Sequence, residues 1–178
     1  MFDNPIRTPR GPLYDSASVQ PMRDDLTYVG FEELLTPADV DAAVRDTQGT
    51  LLVMLNSVCG CAAGSARPGI TASLQNSIIP DRFVTVFAGM ERDAVDAMRA
   101  HFTGYAPSSP NIALLKDGKV LFMMQRYDIE GRTAEEIDAY LRAMYARHCT
   151  RTGPSISKEK YDELEHARIC GSSIPRMN

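Results

Sequence analysis

The 178-residue sequence lacks the features that mark membrane, secreted and nucleic-acid-binding proteins. No uninterrupted apolar run is longer than five residues, as in Leu51–Leu55, far short of the roughly 20 that span a bilayer. The first seven residues contain no apolar stretch of the secretory-signal kind, so we expect a cytoplasmic protein. The net charge is -4 and no lysine/arginine cluster alternates with aromatic residues, which argues against nucleic acid or an anionic membrane as partner.

Cysteine is also scarce, but two of the four cysteines, Cys59 and Cys61, are separated only by Gly60. In a reducing cytosol, cysteines are catalytic, metal-binding or inert more often than they form structural disulfides. Three interpretations of the pair stay open: a redox site, small buried hydrophobic residues, or half of a zinc site. The further zinc ligands would come from His148, Cys149 or Cys170. No second closely spaced cysteine pair supports zinc, so we expect no metal.

The pattern of apolar residues predicts alternating strands and helices. Leu51–Leu55 is apolar on both faces, as in strands of parallel sheets that helices cover on both sides, and the composition of Phe83–Phe87 predicts a second central strand. Asn111–Leu115 and Val120–Met124, joined by an Asp-Gly turn, predict an antiparallel hairpin. Helices are predicted over 21–29, 36–48, 61–78 with a kink or break near Pro68, 91–102 and 133–148. We therefore expect an α/β fold, a central mixed sheet with helices on both faces and an extra helix before it.

The Cys-Gly-Cys turn follows the predicted strand Leu51–Leu55 and precedes a predicted helix. Chemistry in open α/β sheets lies at the carboxyl ends of the strands. There Cys59 would meet the free N–H groups of the helix, which stabilise a thiolate and lower the cysteine pKa. Gly60 would supply the backbone freedom that brings two sulfurs to a bonding distance of about 2 Å. Arg67 and Arg126 could also favour a thiolate, but arginines on helices and loops are usually solvated, so neither is assigned to the site.

Around this turn the sequence resembles the bacilliredoxin family, which has a thioredoxin-like fold and a Cys-Gly-Cys site. The resemblance covers roughly residues 20–149. It rests on Val58–Gly64 with Ala66-Arg67-Pro68, on Val86–Gly89, on Pro107–Pro110 and on Ile129–Arg132. Together these segments are specific, whereas any one of them alone would be weak.

The resemblance implies roles for individual residues. Cys59 would be the nucleophile, Cys61 the partner thiol, and Pro110 a cis proline that faces them. The residues expected to bind substrate are Asn56, Ser57, Gly60, Ser109 and Pro110. From the residues alone, Asn56 and Ser57 could instead satisfy only the backbone of the turn, and Pro110 could be an ordinary loop proline.

The implied reaction removes bacillithiol, a low-molecular-weight thiol, from mixed disulfides on oxidised proteins. Bacillithiol as a thiol co-substrate and bacillithiolated client proteins are therefore the expected partners, and no bound cofactor is expected. A general protein disulfide isomerase or reductase is one alternative. A metal-binding thioredoxin-like module is the other, because a Cys-Gly-Cys pair can also supply two thiolate ligands.

The sequence continues beyond the resemblance. We expect an N-terminal extension over 1–20, a thioredoxin-like domain over 21–149 and a C-terminal helical tail over 150–178. A helix with a narrow apolar seam of Tyr161, Leu164, Arg168 and Ile169 is predicted over 158–168, followed by Cys170. Either Cys170 folds back as a possible resolving thiol, or pairs with Cys149 under oxidation, or the tail is a solvated appendage with an idle cysteine.

Overall fold

A computed structural model describes residues 8–170, apart from the side chains of His166 and Cys170. The strands are β1 (Glu32–Glu33), β2 (Thr50–Asn56), β3 (Ile78–Ile79), β4 (Arg82–Phe87), β5 (Asn111–Lys116), β6 (Lys119–Met124) and β7 (Arg151–Thr152). The helices are α1 (Ser16–Thr27), α2 (Pro37–Asp46), α3 (Arg67–Ser73), α4 (Arg92–Ala100), α5 (Arg126–Ile129), α6 (Ala134–His148) and α7 (Lys158–Cys170). A π-helical turn, Ala62–Ala66, leads directly into α3. Within the described range, no helix combines the length and the apolar character that a membrane crossing requires.

The predicted mixed sheet with helices on both faces is confirmed. Its strand order is β1-β4-β2-β5-β6, in which β1, β4 and β2 are parallel and β5 and β6 are antiparallel to their neighbours. Strand β2 is buried along its whole length. Its Leu52 and Met54 face the core beneath α1, α3 and α6, whereas Leu51, Val53 and Leu55 face the core beneath α2 and α4. The central strand thus joins two apolar layers, and its carboxyl end is fixed from both sides.

The first helix begins earlier than predicted. Its N-cap is Asp15, whose carboxylate accepts a hydrogen bond from the Ser18 N–H at 2.9 Å. Pro21 therefore lies inside α1 instead of at its start, and the boundary expected at residue 20 falls inside this helix. Helix α1 ends at Thr27 instead of residue 29, but the predicted cap is confirmed: Gly30 has φ of 107°, and the Phe31 N–H donates to the Leu26 carbonyl at 3.2 Å, as in a Schellman motif.

The helix after the cysteines differs from the prediction both before and after Pro68. The irregularity precedes Pro68, because the Arg67 N–H donates to the Ala62 carbonyl five residues back and forms the π-helical turn. The helix then continues through Pro68 and ends at Ser73 instead of Ile78. Ile78 and its neighbour form β3, which pairs with β7. The short elements α5, β3 and β7 had not been predicted.

Local capping accounts for the elements that were predicted well. Thr36 and Asp39 form a capping box at the start of α2, and Thr133 and Glu136 form another at the start of α6. The β5–β6 hairpin turns at Asp117, whose φ of 52° is followed by a second positive φ at the next glycine. Paired positive φ angles match the right-handed twist of the two strands.

The C-terminal segment packs onto the domain, so its described part is not a solvated appendage. The Ser155 N–H donates to the Leu74 carbonyl at 2.9 Å, just before α7. Leu164 is fully buried in the same core that α1, α3 and α6 cover. The Tyr28 hydroxyl donates to Glu163 at 3.1 Å. Ile169, which was expected on the apolar seam, is 83% exposed.

Candidate active site

The two cysteines lie at the carboxyl end of β2, where the chain turns into a helix. The Cys59 carbonyl accepts the N–H groups of Ala62 at 3.1 Å and Ala63 at 3.2 Å, which begin the helix. The sulfurs of Cys59 and Cys61 are 2.6 Å apart, and both residues are half-buried. The two thiols are therefore in contact at a partly accessible edge of the sheet.

Gly60 does not have the role that the sequence suggested. Its φ lies outside the left-handed range, since it is the first residue of the helical segment. A Cβ built at Gly60 would meet no atom within 4 Å. The contact between the sulfurs therefore requires no backbone conformation reserved for glycine.

The two thiols have opposite electrostatic environments. Burial by itself would raise the pKa of Cys59. Hydrogen bonds from the Cys61 thiol, the Ser57 hydroxyl and the Ala62 and Cys61 N–H groups outweigh burial and hold the pKa of Cys59 below that of an ordinary thiol. Burial and the adjacent Cys59 raise the pKa of Cys61, while the Arg126 guanidinium opposes that rise. Cys59 is accordingly the more acidic thiol of the pair, and Cys61 the less acidic one.

Arg67 is buried directly beneath this turn, so the expectation of a solvated side chain was wrong. It is only 4% exposed. Its Nη1 donates to the Asn56 Oδ1 at 3.1 Å and to the Ser57 carbonyl at 3.0 Å, and its Nε pairs with Asp25 at 3.1 Å. Burial lowers the pKa of Arg67, as does the charge of Arg168, while Asp25 and, when ionised, Cys59 raise it. The guanidinium thus holds the loop that carries Cys59 and supplies a positive charge close to it.

The predicted substrate-binding residues Asn56 and Ser57 first of all organise this loop. The Asn56 Nδ2 donates to the Met22 carbonyl at 3.1 Å, and its Oδ1 accepts the Ser57 N–H at 2.9 Å in addition to Arg67. Both polar ends of this buried amide are therefore occupied within the protein. The Ser57 hydroxyl accepts the Cys59 N–H at 3.3 Å, so it lies beside Cys59.

The Ser109–Pro110 peptide bond is cis, as the resemblance implied. Asn111, the next residue, pairs with Leu55 at the end of β2, which places this bond at the same edge of the sheet as the cysteines. The Asn111 side chain donates to the Ser108 carbonyl at 3.0 Å. Buried Gln125, at the end of β6, donates to the Ala106 carbonyl at 2.8 Å. These amides hold the proline loop against the edge of the sheet.

Sequence reasoning overlooked Asp25, Asn111 and Gln125, and it undervalued Arg67. For Arg67 a signal was available. Arg67, Ile70, Thr71 and Leu74 follow the helical i, i+3, i+4, i+7 spacing, and all four are buried. An arginine on the buried stripe of a helix needs a partner, but the partner Asp25 lies 42 residues away and no local pattern indicates it.

Cys149 belongs to the opposite end of the sheet. Burial raises its pKa, and its thiol hydrogen-bonds with Thr50, the first residue of β2. The strand has seven residues from Thr50 to Asn56, so its six steps span about 20 Å at the usual rise. Cys149 therefore cannot complete a zinc site with Cys59, and residues 8–170 contain no group of three or more side chains fit to hold a metal. The side chain of Cys170, and hence its predicted roles, lies outside the described residues.

Comparison with known proteins places these features in a family. Residues 14–149 match the family model described as disulphide isomerase. The chain is 49% identical over 145 residues to a bacilliredoxin of Koribacter versatilis, which covers 82% of this chain and 100% of that protein. The chain belongs to the bacilliredoxin family. A bacilliredoxin of Staphylococcus aureus is 44% identical over 137 residues, 77% of this chain and 94% of that protein.

Two solved structures that resemble the chain are described as a thioredoxin and a thioredoxin-like domain. Thioredoxin O2 of Arabidopsis thaliana in the oxidised state matches with a TM-score of 0.44 and 15% identity over 66% of this chain and 96% of that chain. A thioredoxin-like domain of an Arabidopsis protein matches with a TM-score of 0.44 and 22% identity over 68% of this chain and 80% of that chain. The fold is thioredoxin-like, as expected, and the family makes the chain a thiol–disulfide oxidoreductase. Helix α7 lies beyond the family match.

Proposed function

We propose that this bacilliredoxin removes bacillithiol from mixed disulfides on oxidised proteins, with Cys59 as the nucleophile. The observation that carries the proposal is the pair of opposite pKa shifts on two thiols whose sulfurs are 2.6 Å apart. A thiolate is the attacking species in disulfide exchange, so the thiol with the lowered pKa attacks first. The relatives' name, bacilliredoxin, supports the choice of bacillithiol as the transferred thiol.

The first step exchanges one disulfide for another. The Cys59 thiolate attacks the bacillithiol sulfur of the mixed disulfide, the client sulfur leaves as a thiolate, and a Cys59–bacillithiol disulfide forms. No net oxidation occurs, because one S–S bond breaks as another forms. Arg67 offsets negative charge near the attacking sulfur, and the lowered pKa of Cys59 keeps that sulfur ionised at neutral pH more often than an ordinary thiol.

The second step has two routes within the proposal. Cys61 loses its proton and attacks Cys59, which releases bacillithiol and leaves a Cys59–Cys61 disulfide that free thiols then reduce. Alternatively, free bacillithiol attacks the adduct, which leaves bacillithiol disulfide and a reduced Cys59. The 2.6 Å contact between the sulfurs favours the first route, because the attacking atom is already in place.

The remaining predicted residues have positions that fit substrate contact. Ser57 lies beside Cys59, Gly60 leaves open space above the turn, and the cis bond between Ser109 and Pro110 borders the same edge of the sheet. The client would lie across this edge. A cytoplasmic location, where thiols are kept reduced, belongs to the same proposal. So does the expectation of partners that are neither nucleic acid nor membrane.

A trapping experiment tests the assignment of the two thiols. A bacillithiolated client is mixed with Cys61→Ala, and a Cys59–bacillithiol adduct is expected to accumulate, as seen by mass spectrometry of the intact protein. Cys59→Ala is the matched control and should neither form the adduct nor release the client thiol. If both variants deprotect the client at the parent rate, the mechanism is wrong. In the same samples, a disulfide that includes Cys170 in the oxidised parent would assign that cysteine a resolving role, and its absence would dismiss it.

General disulfide exchange is the second candidate, because the matching family model is described as disulphide isomerase. A client carrying glutathione, and a client with scrambled disulfides, distinguish the two functions. Deprotection of the bacillithiolated client at least about tenfold faster than of the glutathionylated one supports the specialised reaction. Equal rates, or efficient reshuffling of the scrambled client, would support the general one.

A further inference from the structure

Ion pairs and hydrogen bonds connect helix α7 to the loop that carries Cys59. Arg168 lies 3.5 Å from the Asp25 Oδ1, and Arg67 donates to the Asp25 Oδ2 at 3.1 Å. The Asp25 carboxylate therefore pairs with two guanidinium groups. Arg67 in turn holds the Ser57 carbonyl, two residues before Cys59.

The position of Arg168 is itself fixed. Its Nη2 donates to the Thr71 hydroxyl at 3.0 Å, and its Nη1 pairs with Glu165 at 2.7 Å. Arg168 and Asp25 are each 18% exposed, which limits solvent screening of their attraction. Buried Leu164 fastens the same helix to the core.

We infer that α7, a segment beyond the family match, positions the active-site loop of this chain, with Arg168 acting through Asp25 and Arg67. Arg168 holds Asp25 in place, and Asp25 holds the guanidinium that binds the loop. Arg168 is a positioning residue here, since it touches neither sulfur in the described contacts. The inference rests on the proposed role of Cys59 as nucleophile.

The charges around the nucleophile determine the direction of the expected effect. Among the described groups, Arg67 interacts with the charge of Cys59, and Arg126, paired with Glu130 at 2.6 Å, interacts with both thiols. Asp25 and Arg168 are linked to the site through Arg67. Without Arg168, Asp25 is held by Arg67 alone, so Arg67 is held less firmly at the Ser57 carbonyl and its charge stabilises the thiolate of Cys59 less.

The test compares the ionisation of Cys59 in variants that keep the whole chain. In Arg168→Gln, the midpoint of Cys59 ionisation should move to higher pH, and alkylation of Cys59 by iodoacetamide below that midpoint should slow about two- to three-fold. Arg168→Lys keeps the charge and should restore most of the parent rate. Lys158→Ala is the matched control: it removes one positive charge from an exposed site at the other end of α7, and should leave the profile unchanged.

A double-mutant cycle distinguishes an effect of Arg168 that passes through Asp25 from a direct electrostatic effect of Arg168 on Cys59. If Arg168 acts through Asp25, Arg168→Gln should shift the profile much less in an Asp25→Asn background than in the parent. Additive shifts would overturn the inference, as would a parent-like profile for folded Arg168→Gln or an equal shift for Lys158→Ala. Alkylation needs no bacillithiol, so this result stands apart from the outcome of the trapping experiment.

Discussion

A cysteine lies near each end of β2, and the surroundings of the two cysteines shift the thiol pKa in opposite directions. At the carboxyl end, Cys59 is surrounded by N–H donors, a hydroxyl and a buried guanidinium, and its pKa is lowered. At the amino end, Cys149 is enclosed by the core, and burial raises its pKa. The residue type is the same at both ends. Reactivity therefore depends on where helix N–H groups and buried cations converge, and not on the presence of a thiol.

The largest expected difference between the two ends is in thiol reactivity. At pH 7 we expect iodoacetamide to alkylate Cys59 about a hundredfold faster than Cys149, because Cys59 is more ionised and half-exposed whereas Cys149 is protonated and buried. As pH rises, the alkylation rate of Cys59 should level off at a pH below the pKa of an ordinary thiol. The alkylation rate of Cys149 should still be rising at a pH above that pKa. Mass spectrometry of the two peptides over a pH series measures both.

Faster alkylation of Cys149 than of Cys59 would contradict the difference in electrostatic environment between the two ends of β2. Urea at a concentration that unfolds the chain supplies the control. There the two cysteines should react at similar rates, since neither retains its environment.

The next largest effect concerns the buried arginine at the carboxyl end. Arg67→Met should lower the free energy of unfolding by about 3 kcal/mol, because it breaks a buried ion pair and leaves Asp25 and the Ser57 carbonyl without their donor. The matched change Arg82→Met acts on an arginine at the start of β4 that pairs with exposed Glu32, and should cost less than about 1 kcal/mol. Urea denaturation with unchanged m-values measures both.

Equal costs for the two arginine variants would mean that burial does not distinguish these ion pairs. The Arg67→Met variant should also move the ionisation of Cys59 to higher pH, since a buried cation that interacts with Cys59 is lost. A stable Arg67→Met variant with the parent profile would contradict both the structural and the electrostatic role of this residue.

Much of the carboxyl end could be predicted from the sequence, because its signals are local. The apolar run of β2, the paired cysteines and the Ser109–Pro110 dipeptide are all visible within a few residues. The network beneath them was not, since Arg67, Asp25 and Arg168 come from helices that only the tertiary fold brings together. Resemblance to a family predicted the fold and implied roles for the cysteines, but it ended before α7.

The missed secondary structure has the same cause. Strands β3 and β7 have two residues each and pair across more than 70 positions, so neither has a periodic pattern of its own. The start of α1 was missed because the proline at position 21 resembled a first helical residue, whereas the actual cap is Asp15. A local sequence pattern predicts a helix well when nearby residues also accept hydrogen bonds from the free N–H groups at its start, as the capping box of α6 does.

The smallest expected effect contrasts the glycines next to the two ends of β2. Gly49 precedes the strand with φ of 88°, and a Cβ there would lie 2.3 Å from the Asp81 Oδ2. That carboxylate is held by the Thr50 N–H at 2.7 Å and hydroxyl at 2.8 Å, so it cannot move away freely. Gly49→Ala should therefore lower the free energy of unfolding by about 2 kcal/mol.

Gly60, beyond the other end of the strand, should respond in the opposite direction. It lies in a helical turn with open space around it, so Gly60→Ala should raise the free energy of unfolding by up to about 0.5 kcal/mol, because alanine favours the helix and restricts the unfolded chain. Urea denaturation of the two reduced variants side by side gives both values. A cost at Gly60 equal to that at Gly49 would show that the fold itself requires this glycine. The expected gain would instead mean that folding does not account for glycine between the cysteines, so its reason must be sought in disulfide exchange at the site.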